Sequence, residues 1–572
     1  MISMSVSLVD VLQWRAANQP HQLAFRFLTD GEYEEVVMTY EELDRRARSL
    51  GALLQTSTKT GDRAFIFFPP GLDFIVAYFG CLYAKIIPIP AFPPHPARIE
   101  KNLPAILRIA ADAKPAVALL TASLFDVLKF RKEIITCLGN MKLIVTDDDK
   151  TGVPAEQWQQ PVIKGNDLAF LQYTSGSTTT PKGVMITHGN LLDNMKLIEK
   201  IFGVSDESHG IIWLPPYHDM GLIGGILQPV YSGIPVTLMP YMMFLQRPLR
   251  WLQTISRFRG TVSGGPNFAY DICVKKITPE QREQLDLSQW KIAFNGAEPV
   301  YHKTLDEFAE YFAPCGFHRD AFLPCYGLAE STLLVTGRPK SPKKIHLVNS
   351  ELEKNKILIS PESNEDTRTV ISCGHSQSDQ KIWVVNPETL RPSNPGEVGE
   401  IWISGPSVAS GYWNKPLETE LTFNAQLSNG EEGKYLRTGD LGFENDGEFY
   451  ITGRIKNLII SDGKNHYPHD IERTVESSYP AILPGGSAVF SISNKGAERI
   501  IVVAEIKHKS IINEHEVIKA IRYAISVYHG LTIDDIRLTD PGAIPRTTSG
   551  KKRHFLCKEY YIAGTLKEIT LT

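Results

Sequence analysis

The chain has 572 residues, of which 42% are hydrophobic and 22% are charged, a composition typical of a soluble globular protein with about three to four domain-sized units. Sixty Lys and Arg residues against sixty-four Asp and Glu residues give a net charge of −4. No basic excess therefore indicates binding to nucleic acid or to an anionic membrane. The seven cysteines contain no CxxC pair, which argues against a disulfide framework and against a zinc site.

The first twenty residues lack the basic segment followed by an apolar stretch that marks a signal peptide, so we expect a cytoplasmic protein in a reducing environment. The most apolar window is Phe74–Ala84, about eleven residues long, whereas a membrane-spanning helix needs about twenty. This window predicts a buried core helix and no membrane span.

Strand and helix signals alternate through the first part of the chain. The predicted strands are HQLAFRFL, EEVVMTY, RAFIFFPP, AVALLTA and MKLIVTD. Residues Thr39–Glu42 have the form of a capping box, which predicts a helix that runs to about Gln55. The proline-rich segment 88–96 is predicted to be a loop or connector without regular structure. Strands separated by helices predict an α/β fold with mixed, mostly parallel sheets covered by helices.

The segment QYTSGSTTTPKGVMITH, residues 172–188, places hydroxyls, glycines and one lysine between apolar runs. Such a loop is suited to hold phosphate oxygens through backbone N–H groups and side-chain donors. It is not a Walker A loop, because Pro181 precedes Lys182 and Gly183 follows it. Taken alone, the segment is also compatible with an ordinary Ser/Thr-rich surface loop.

Three further segments place polar residues directly after predicted strands. His218 and Asp219 follow the strand in IIWLPPYHDMGLIGG, Asn295 and Gly296 end the strand in KIAFNGAEP, and LPCYGLAES leads to Glu330. Because ligands of α/β sheets collect at the carboxyl ends of strands, we expect these segments to share one site. A single histidine on such a turn is more often structural.

Two turns nearer the C-terminus add an acidic and a basic candidate. Asp440 in YLRTGDL has the chemistry to accept hydrogen bonds from both hydroxyls of a ribose, although an Asx turn explains it equally well. Lys551 lies in the polar, flexible turn IPRTTSGKKRH. Taken alone, that turn is more typical of a solvated basic tail.

Together these segments resemble the motifs of the adenylate-forming superfamily, which includes acyl-CoA synthetases, adenylation domains of nonribosomal peptide synthetases, and luciferases. The motifs occur in the order QYTSGSTTTPKGVMITH, LPPYHDMGL, NGAEP, YGLAES, YLRTGDLG, GRIKNLII and PRTTSGK. Within the superfamily, PIPAFPPHP, GGPNFAYDIC and DGKNHYPHDIE are similar to the fatty acyl-AMP ligases, which transfer an acyl adenylate to an acyl carrier protein. The chain departs from the motifs at Cys325. It also departs from them at Asn457, where an acidic residue is more usual.

The resemblance implies a large, multi-subdomain N-terminal domain, residues 1–452, with a polar insertion near 338–370. A hinge at 453–456, with Lys456 as its hinge residue, would lead to a small, mobile α+β lid domain, residues 457–572. The strands SAVFSI and RIIVVAEIK and the amphipathic helix HEVIKAIRYAISVY agree with this lid. By composition the insertion is predicted to be a polar surface segment with one short strand, KILIS. It also resembles the extra segment of the ligases, which is thought to restrain the domain rearrangement that coenzyme A chemistry needs.

The implied reaction is ATP-dependent formation of a fatty acyl-AMP with release of pyrophosphate, followed by transfer to an acyl carrier protein or a polyketide synthase carrier domain. Lys551, His218 and Lys182 would be catalytic, and Glu330 would bind Mg²⁺. The implied ATP-binding residues are Thr174, Ser175, Gly176, Ser177, Thr178, Lys182, Asn295, Gly296, Ala297, Glu298, Tyr326, Gly327, Leu328, Ala329, Asp440 and Arg454.

Each group has an implied role. Thr174–Thr178 and Lys182 would hold the β- and γ-phosphates, Asn295–Glu298 and Tyr326 would frame the adenine, and Asp440 would accept from the ribose. Arg454 would help to position the ribose or phosphate. His218 would form the wall between the nucleotide and an acyl pocket.

Two alternatives remain open. One is an acyl-CoA ligase of the same fold. The other is a catalytically silent nucleotide-binding protein, which the joint presence of Lys182, Glu330, Asp440 and Lys551 disfavours. The sequence also leaves open whether a set of apolar residues lines a hydrophobic channel or belongs to the core. These residues are Trp213, Leu222, Ile223, Met239 and Phe268.

Overall fold

The computed structural model describes residues 5–93, 99–129, 141–147, 153–174, 181–338, 341–377, 379–461, 463–494, 497–507, 513–547 and 550–566. The predicted phosphate-loop residues Ser175, Gly176, Ser177 and Thr178 lie outside the described residues.

The strands, in chain order, are β1 (Leu23–Leu28), β2 (Glu35–Thr39), β3 (Arg63–Phe67), β4 (Ile87–Pro90), β5 (Val117–Leu120), β6 (Lys142–Val145), β7 (Leu168–Thr174), β8 (Lys182–Thr187), β9 (Gly210–Ile212), β10 (Val236–Leu238), β11 (Val262–Gly265), β12 (Ile292–Asn295), β13 (Phe322–Gly327), β14 (Leu334–Gly337), β15 (Lys344–Val348), β16 (Ile359–Ser360), β17 (Thr367–Ile371), β18 (Lys381–Val385), β19 (Gly399–Ser404), β20 (Leu436–Asn445), β21 (Glu448–Arg454), β22 (Ile459–Ser461), β23 (Lys464–His466), β24 (Ile482–Asn494), β25 (Ala497–Ile506) and β26 (Asp535–Thr539).

The α-helices are α1 (Leu8–Asn18), α2 (Tyr40–Ser57), α3 (Leu72–Tyr83), α4 (Ile99–Ala113), α5 (Ala122–Lys129), α6 (His188–Phe202), α7 (Gln228–Ser232), α8 (Tyr241–Gln246), α9 (Leu249–Phe258), α10 (Asn267–Lys276), α11 (Pro279–Arg282), α12 (His302–Phe312), α13 (Asn349–Leu352), α14 (Pro416–Phe423), α15 (Pro468–Ser478), α16 (Glu514–His529) and α17 (His554–Ile562). A π-helix, Met220–Leu227, runs directly into α7.

The largest sheet has eight strands in the order β14-β13-β12-β11-β9-β10-β1-β2. Its six inner strands are parallel, and β14 and β2 pair antiparallel at the two edges. A second, wholly parallel sheet has the order β4-β3-β5-β6. The predicted α/β class with mostly parallel sheets is confirmed. The ends of β9, β11, β12 and β13 are neighbours, so the segments that follow them meet at one edge.

Local signals placed several elements correctly. Thr39 caps α2 by accepting a hydrogen bond from the backbone N–H of Glu42 at 3.3 Å. The predicted core helix is α3, in which all residues except Asp73 are buried. Among the described residues, no helix is long and apolar enough to cross a membrane.

The proline-rich segment differs from the prediction. Ile87–Pro90 forms β4, which pairs in parallel with β3. This strand lies at the edge of its sheet, where a proline removes no ladder hydrogen bond that a further strand would need. The prediction of a segment without regular structure was therefore wrong for residues 88–90, while 94–96 lie outside the described residues.

The polar insertion is more ordered than its composition indicated. Instead of one strand, it forms a three-stranded antiparallel sheet in the order β16-β15-β17, and the predicted strand KILIS is reduced to Ile359–Ser360. Leu347, Leu352 and Val370 are buried in a core that also contains Tyr467 from beyond the proposed hinge. The insertion therefore packs against the C-terminal part of the chain.

The C-terminal part has its own core and an α+β fold. Its three-stranded sheet has the order β24-β25-β26, and α16 packs on it through Val517, Ile521 and Ile525, as its periodicity predicted. Ile518 is only partly buried beside the same core.

Candidate active site

Asp440 and Arg454 face each other across an antiparallel pair of strands, β20 and β21. The Nε of Arg454 donates to Asp440 Oδ1 at 2.6 Å, and the hydroxyl of Tyr326 donates to Oδ2 at 2.8 Å. Asp440 is 4% exposed, and its negative charge raises the pKa of Arg454. Because two carboxylate oxygens offer about four acceptor positions, Asp440 can accept further hydrogen bonds beside those from Arg454 and Tyr326.

The predicted adenine segment lies at the end of β12 beside β13. The thiol of Cys325 donates to the backbone carbonyl of Asn295 at 3.5 Å. A side chain at position 296 would come within 2.8 Å of Cys325 Sγ, so the cysteine occupies the space that Gly296 leaves. This contact gives a structural reason for the departure from the family motif at Cys325.

The side chain of Glu298 forms a hydrogen bond with the start of a neighbouring helix. Its Oε1 accepts the backbone N–H of Phe268 at 2.7 Å, in the first turn of α10. Burial raises the pKa of Glu298, and the nearby Lys551 acts in the opposite direction. The carboxyl group thus fixes the start of a helix, while Ala297 and Glu298 still line the cavity.

The residues predicted to hold phosphate that the structure describes, Thr174 and Lys182, lie on the β7–β8 hairpin. Thr174 and Lys182 are paired residues of the two strands. The Nζ of Lys182 lies 4.6 Å from the ring centroid of Tyr412, whose hydroxyl donates to Glu330 Oε1 at 2.8 Å. Burial, followed by the charge of Lys456, lowers the pKa of Lys182. A lysine and a carboxylate are thus brought to one wall of the cavity.

Sequence reasoning missed Tyr412, although this residue links the two predicted phosphate-end residues. It lies in a loop that joins the hairpin through an isolated bridge with Val184. A single aromatic residue in a loop has no periodic pattern, and its contact with Glu330 spans 82 positions in the chain.

Lys551 lies on a turn of the C-terminal domain that faces the cavity. The backbone N–H of Thr547 donates to the Lys551 carbonyl at 2.7 Å, and the Lys551 N–H donates to the Thr547 hydroxyl at 3.0 Å. A side chain at Gly550 would lie 3.8 Å from the ring of Phe268. The turn is therefore seated against the N-terminal domain.

His218 lies on the segment between β9 and the π-helix, close enough to Lys551 for their charges to interact. Burial, helped by Lys551, lowers the pKa of His218 to about 3. The imidazole is therefore neutral near pH 7. It is suited to shaping the site, and it has no proton to give as an acid at that pH.

All these elements border one cavity of about 1720 Å³. The predicted residues that line it are Thr174, Lys182, Ala297, Glu298, Tyr326, Gly327, Leu328, Ala329, Glu330, Asp440, Arg454, Lys456 and Lys551. From the sequence, five apolar residues could belong to either a channel or the core. Of these, Phe268 lines the cavity. Trp213, Leu222, Ile223 and Met239 are buried in the core.

The cavity thus brings together the carboxylates of Asp440 and Glu330 with Lys182 and with Lys551 from the C-terminal part of the chain. The AMP-binding enzyme family matches residues 12–413. The chain belongs to this family. A second family, described as "Disco-interacting protein 2-like, AMP domain", matches residues 456–571 of this AMP-binding enzyme.

Individual relatives cover nearly the whole AMP-binding enzyme. It is 45% identical over 98% of its length to the medium-chain-fatty-acid–[acyl-carrier-protein] ligase JamA of Moorena producens, of which 96% is covered. It is 35% identical to a 4-hydroxyphenylalkanoate adenylyltransferase of Mycobacterium tuberculosis, covering 97% and 92% of the two chains. A solved fatty acyl-adenylate ligase of L. pneumophila, in complex with acyl adenylate and pyrophosphate, matches with a TM-score of 0.77 and 41% identity over 98% and 97%.

These relatives confirm the predicted adenylate-forming family and its closest group, the fatty acyl-AMP ligases. ATP is accordingly a substrate of this AMP-binding enzyme. Mg²⁺ fits the residues present: Glu330 offers a hard oxygen donor beside Lys182, and Mg²⁺ in such sites takes one or two carboxylates with substrate phosphates and waters. Within the described residues, no group of three or more His, Cys, Asp or Glu side chains forms a separate metal cage.

A buried carboxylate, which the sequence did not single out, holds the Lys551 turn of the AMP-binding enzyme in place. Glu472 of α15 accepts from Lys552 Nζ at 2.7 Å, from His554 Nε2 at 2.5 Å and from the Val489 N–H at 3.1 Å. Lys552 also contacts Glu476 at 3.3 Å. The residue after Lys551 is therefore tied to the lid core.

Proposed function

We propose that this enzyme activates a medium-chain fatty acid to its acyl-AMP and transfers the acyl group to the phosphopantetheine arm of an acyl carrier protein or carrier domain. The observation that carries the proposal is the position of Lys551 in a cavity whose other walls hold Lys182 and Glu330, both in contact with Tyr412, and the Asp440–Arg454 ion pair. These groups match the parts of ATP and a carboxylate. The free state of the six described cysteines supports a cytoplasmic reaction.

The first step brings two anions together, since a carboxylate oxygen attacks the α-phosphorus while the bond to pyrophosphate breaks. The site therefore has to supply positive charge and alignment. In our proposal Lys551 lies between the carboxylate and the α-phosphate, Lys182 contacts the terminal phosphates, and Asp440 fixes the ribose. Glu330 would hold Mg²⁺ with its hard oxygen donors, and the bound ion would supply Lewis-acid stabilisation of phosphate charge.

The insertion supports a carrier protein rather than free coenzyme A as acceptor. Arg368 on β17 contacts Asp470 at 3.1 Å and donates to the Thr452 carbonyl at 3.0 Å. The backbone carbonyl of Glu353 accepts the N–H of Asn465 at 2.9 Å. These contacts join the insertion to both sides of the proposed 453–456 hinge, and they oppose the rotation of the lid that we associate with coenzyme A chemistry.

The test is a mass-spectrometric product assay with ATP, Mg²⁺, a medium-chain fatty acid and either coenzyme A or a phosphopantetheinylated carrier protein. We expect acyl-AMP to accumulate with coenzyme A and acyl transfer only to the carrier. Efficient acyl-CoA formation would instead identify an acyl-CoA ligase. If no pyrophosphate were released with any of many acids tested, the protein would instead be a catalytically inactive nucleotide-binding protein.

Lys551→Ala tests the catalytic assignment in the same assay. We expect adenylate formation to fall by about a hundredfold or more, with nucleotide binding retained. Lys519→Ala is the matched control, because Lys519 is an exposed lysine of α16 in the same domain. Normal turnover by Lys551→Ala would refute the role of this lysine.

A further inference from the structure

Part of the cavity is lined by the π-helix and by strands of the large sheet. We call it the inner branch and define it by six of its lining residues, which are Ile212, Gly224, Gln228, Val236, Phe294 and Phe202. Its walls are apolar apart from Gln228. It begins beside Asp219 and Met220, next to the segment that carries His218.

One wall of the inner branch is helical. Met220 and Gly224 lie on the π-helix, Gln228 begins α7 directly after it, and all three line the cavity. Gly224 leaves the branch open, because a side chain added there would meet only Leu333, at 3.5 Å. From Met220 to Gln228 the wall follows about two turns of this helix, a length suited to a medium-length acyl chain.

Gln228 is a polar group at the far part of this apolar branch. It is 4% exposed, and its Nε2 donates to the Ser232 hydroxyl at 2.8 Å. Its Oε1 has no hydrogen-bond partner among the described residues. A buried carbonyl without a donor costs free energy, so a ligand that brings a donor to this point gains more than one that brings a methyl group.

We infer that the inner branch selects acyl chains that carry a hydroxyl group near the end remote from the carboxylate, with Gln228 as the specificity-determining residue. A hydroxyl both donates and accepts, so it pairs with either face of the amide. The inference rests on the proposed function, because it names the substrate class of that same site.

The test compares ω-hydroxy acids with unsubstituted acids of equal length, across a series of medium chain lengths, by pyrophosphate release and mass-spectrometric detection of acyl-AMP. For the wild-type enzyme we expect kcat/KM to favour the hydroxy acid by about tenfold at the one chain length that reaches Gln228. At other lengths the preference should vanish, because the hydroxyl would lie against apolar wall.

Gln228→Leu and Gln228→Met replace the amide by apolar groups of similar size, and we expect both to reverse the preference towards the unsubstituted acid. Gln380→Leu is the matched control: Gln380 is also buried with an unpartnered amide among the described residues, but it does not line the cavity. That variant should keep the wild-type preference.

The outcomes separate the two claims. Adenylation of unsubstituted acids with no preference for the hydroxy acid at any length would overturn the inference and leave the proposed function standing. A preference that survives both Gln228 variants would also overturn it. Absence of adenylate with every acid would overturn the proposed function, and the inference with it.

Discussion

Glu472→Gln tests whether a buried ion cluster positions the catalytic turn. The wild-type carboxylate is buried and accepts hydrogen bonds from Lys552, His554 and the Val489 N–H. Burial alone would raise the pKa of Glu472, but Lys552 and His554 outweigh it and lower the pKa to about 2. Relative to an ordinary carboxyl group, this shift corresponds to about 3 kcal/mol of folding free energy near neutral pH.

The amide variant removes the charge and leaves the partly buried Lys552 with Glu476 as its remaining acidic partner. We expect the free energy of unfolding of the lid domain to fall by about 3 kcal/mol, the usual cost of breaking one side of a buried pair. The kcat for adenylate formation should also fall, because the adjacent Lys551 loses its anchor. The KM for ATP should change little, since Asp440 and Lys182 are untouched.

Denaturant unfolding and steady-state pyrophosphate release measure the two effects. Because the folded-state pKa is lowered, the stabilisation by Glu472 is fully present above about pH 4.5 and is lost as the pH falls towards 2. The variant should lack this component of the acid dependence. Glu476→Gln is the control, because Glu476 contacts Lys552 at the longer distance of 3.3 Å. If Glu472→Gln proved no more destabilising than this control, or kept a normal kcat, the reasoning would be refuted.

Three other outcomes are expected. Tyr412→Phe keeps the aromatic ring next to Lys182 but removes the hydroxyl that donates to Glu330. The Mg²⁺ concentration for half-maximal pyrophosphate release should therefore rise about tenfold. An unchanged Mg²⁺ titration would contradict the assignment of Glu330 as the Mg²⁺ ligand. Since the pKa of His218 is lowered to about 3, its imidazole should show no NMR titration between pH 5 and 8, and a midpoint in that range would argue against its burial. Arg368→Ala should increase hydrogen exchange in α15, whereas Arg391→Ala, at an exposed position, should not; equal exchange in both would show that the insertion does not hold the lid.

Several parts of this enzyme were readable from short stretches of sequence. The strand ends at Asn295 and Gly327, the capped start of α2 and the periodic face of α16 follow from local propensity and spacing, and the structure contains all of them. The ordered motifs around Lys182, Asp440 and Lys551 predicted the family. The structure brings these three residues to one cavity.

The remaining features depend on contacts between distant parts of the chain. Tyr412 and Glu330 are in contact but lie 82 positions apart in the sequence, and Lys552 and Glu472 lie 80 positions apart. No local sequence pattern therefore predicts either contact. Neighbouring elements also decide two other features. They place β4 at a sheet edge, where it can contain prolines, and they bring the Phe268 N–H of α10 to the Glu298 carboxylate. The sequence by itself determined the family and the fold class and predicted the candidate site residues, because these rest on local spacing. Only the tertiary structure decided which side chains hold the catalytic turn and line the inner branch, because those roles arise from packing between elements far apart in the chain.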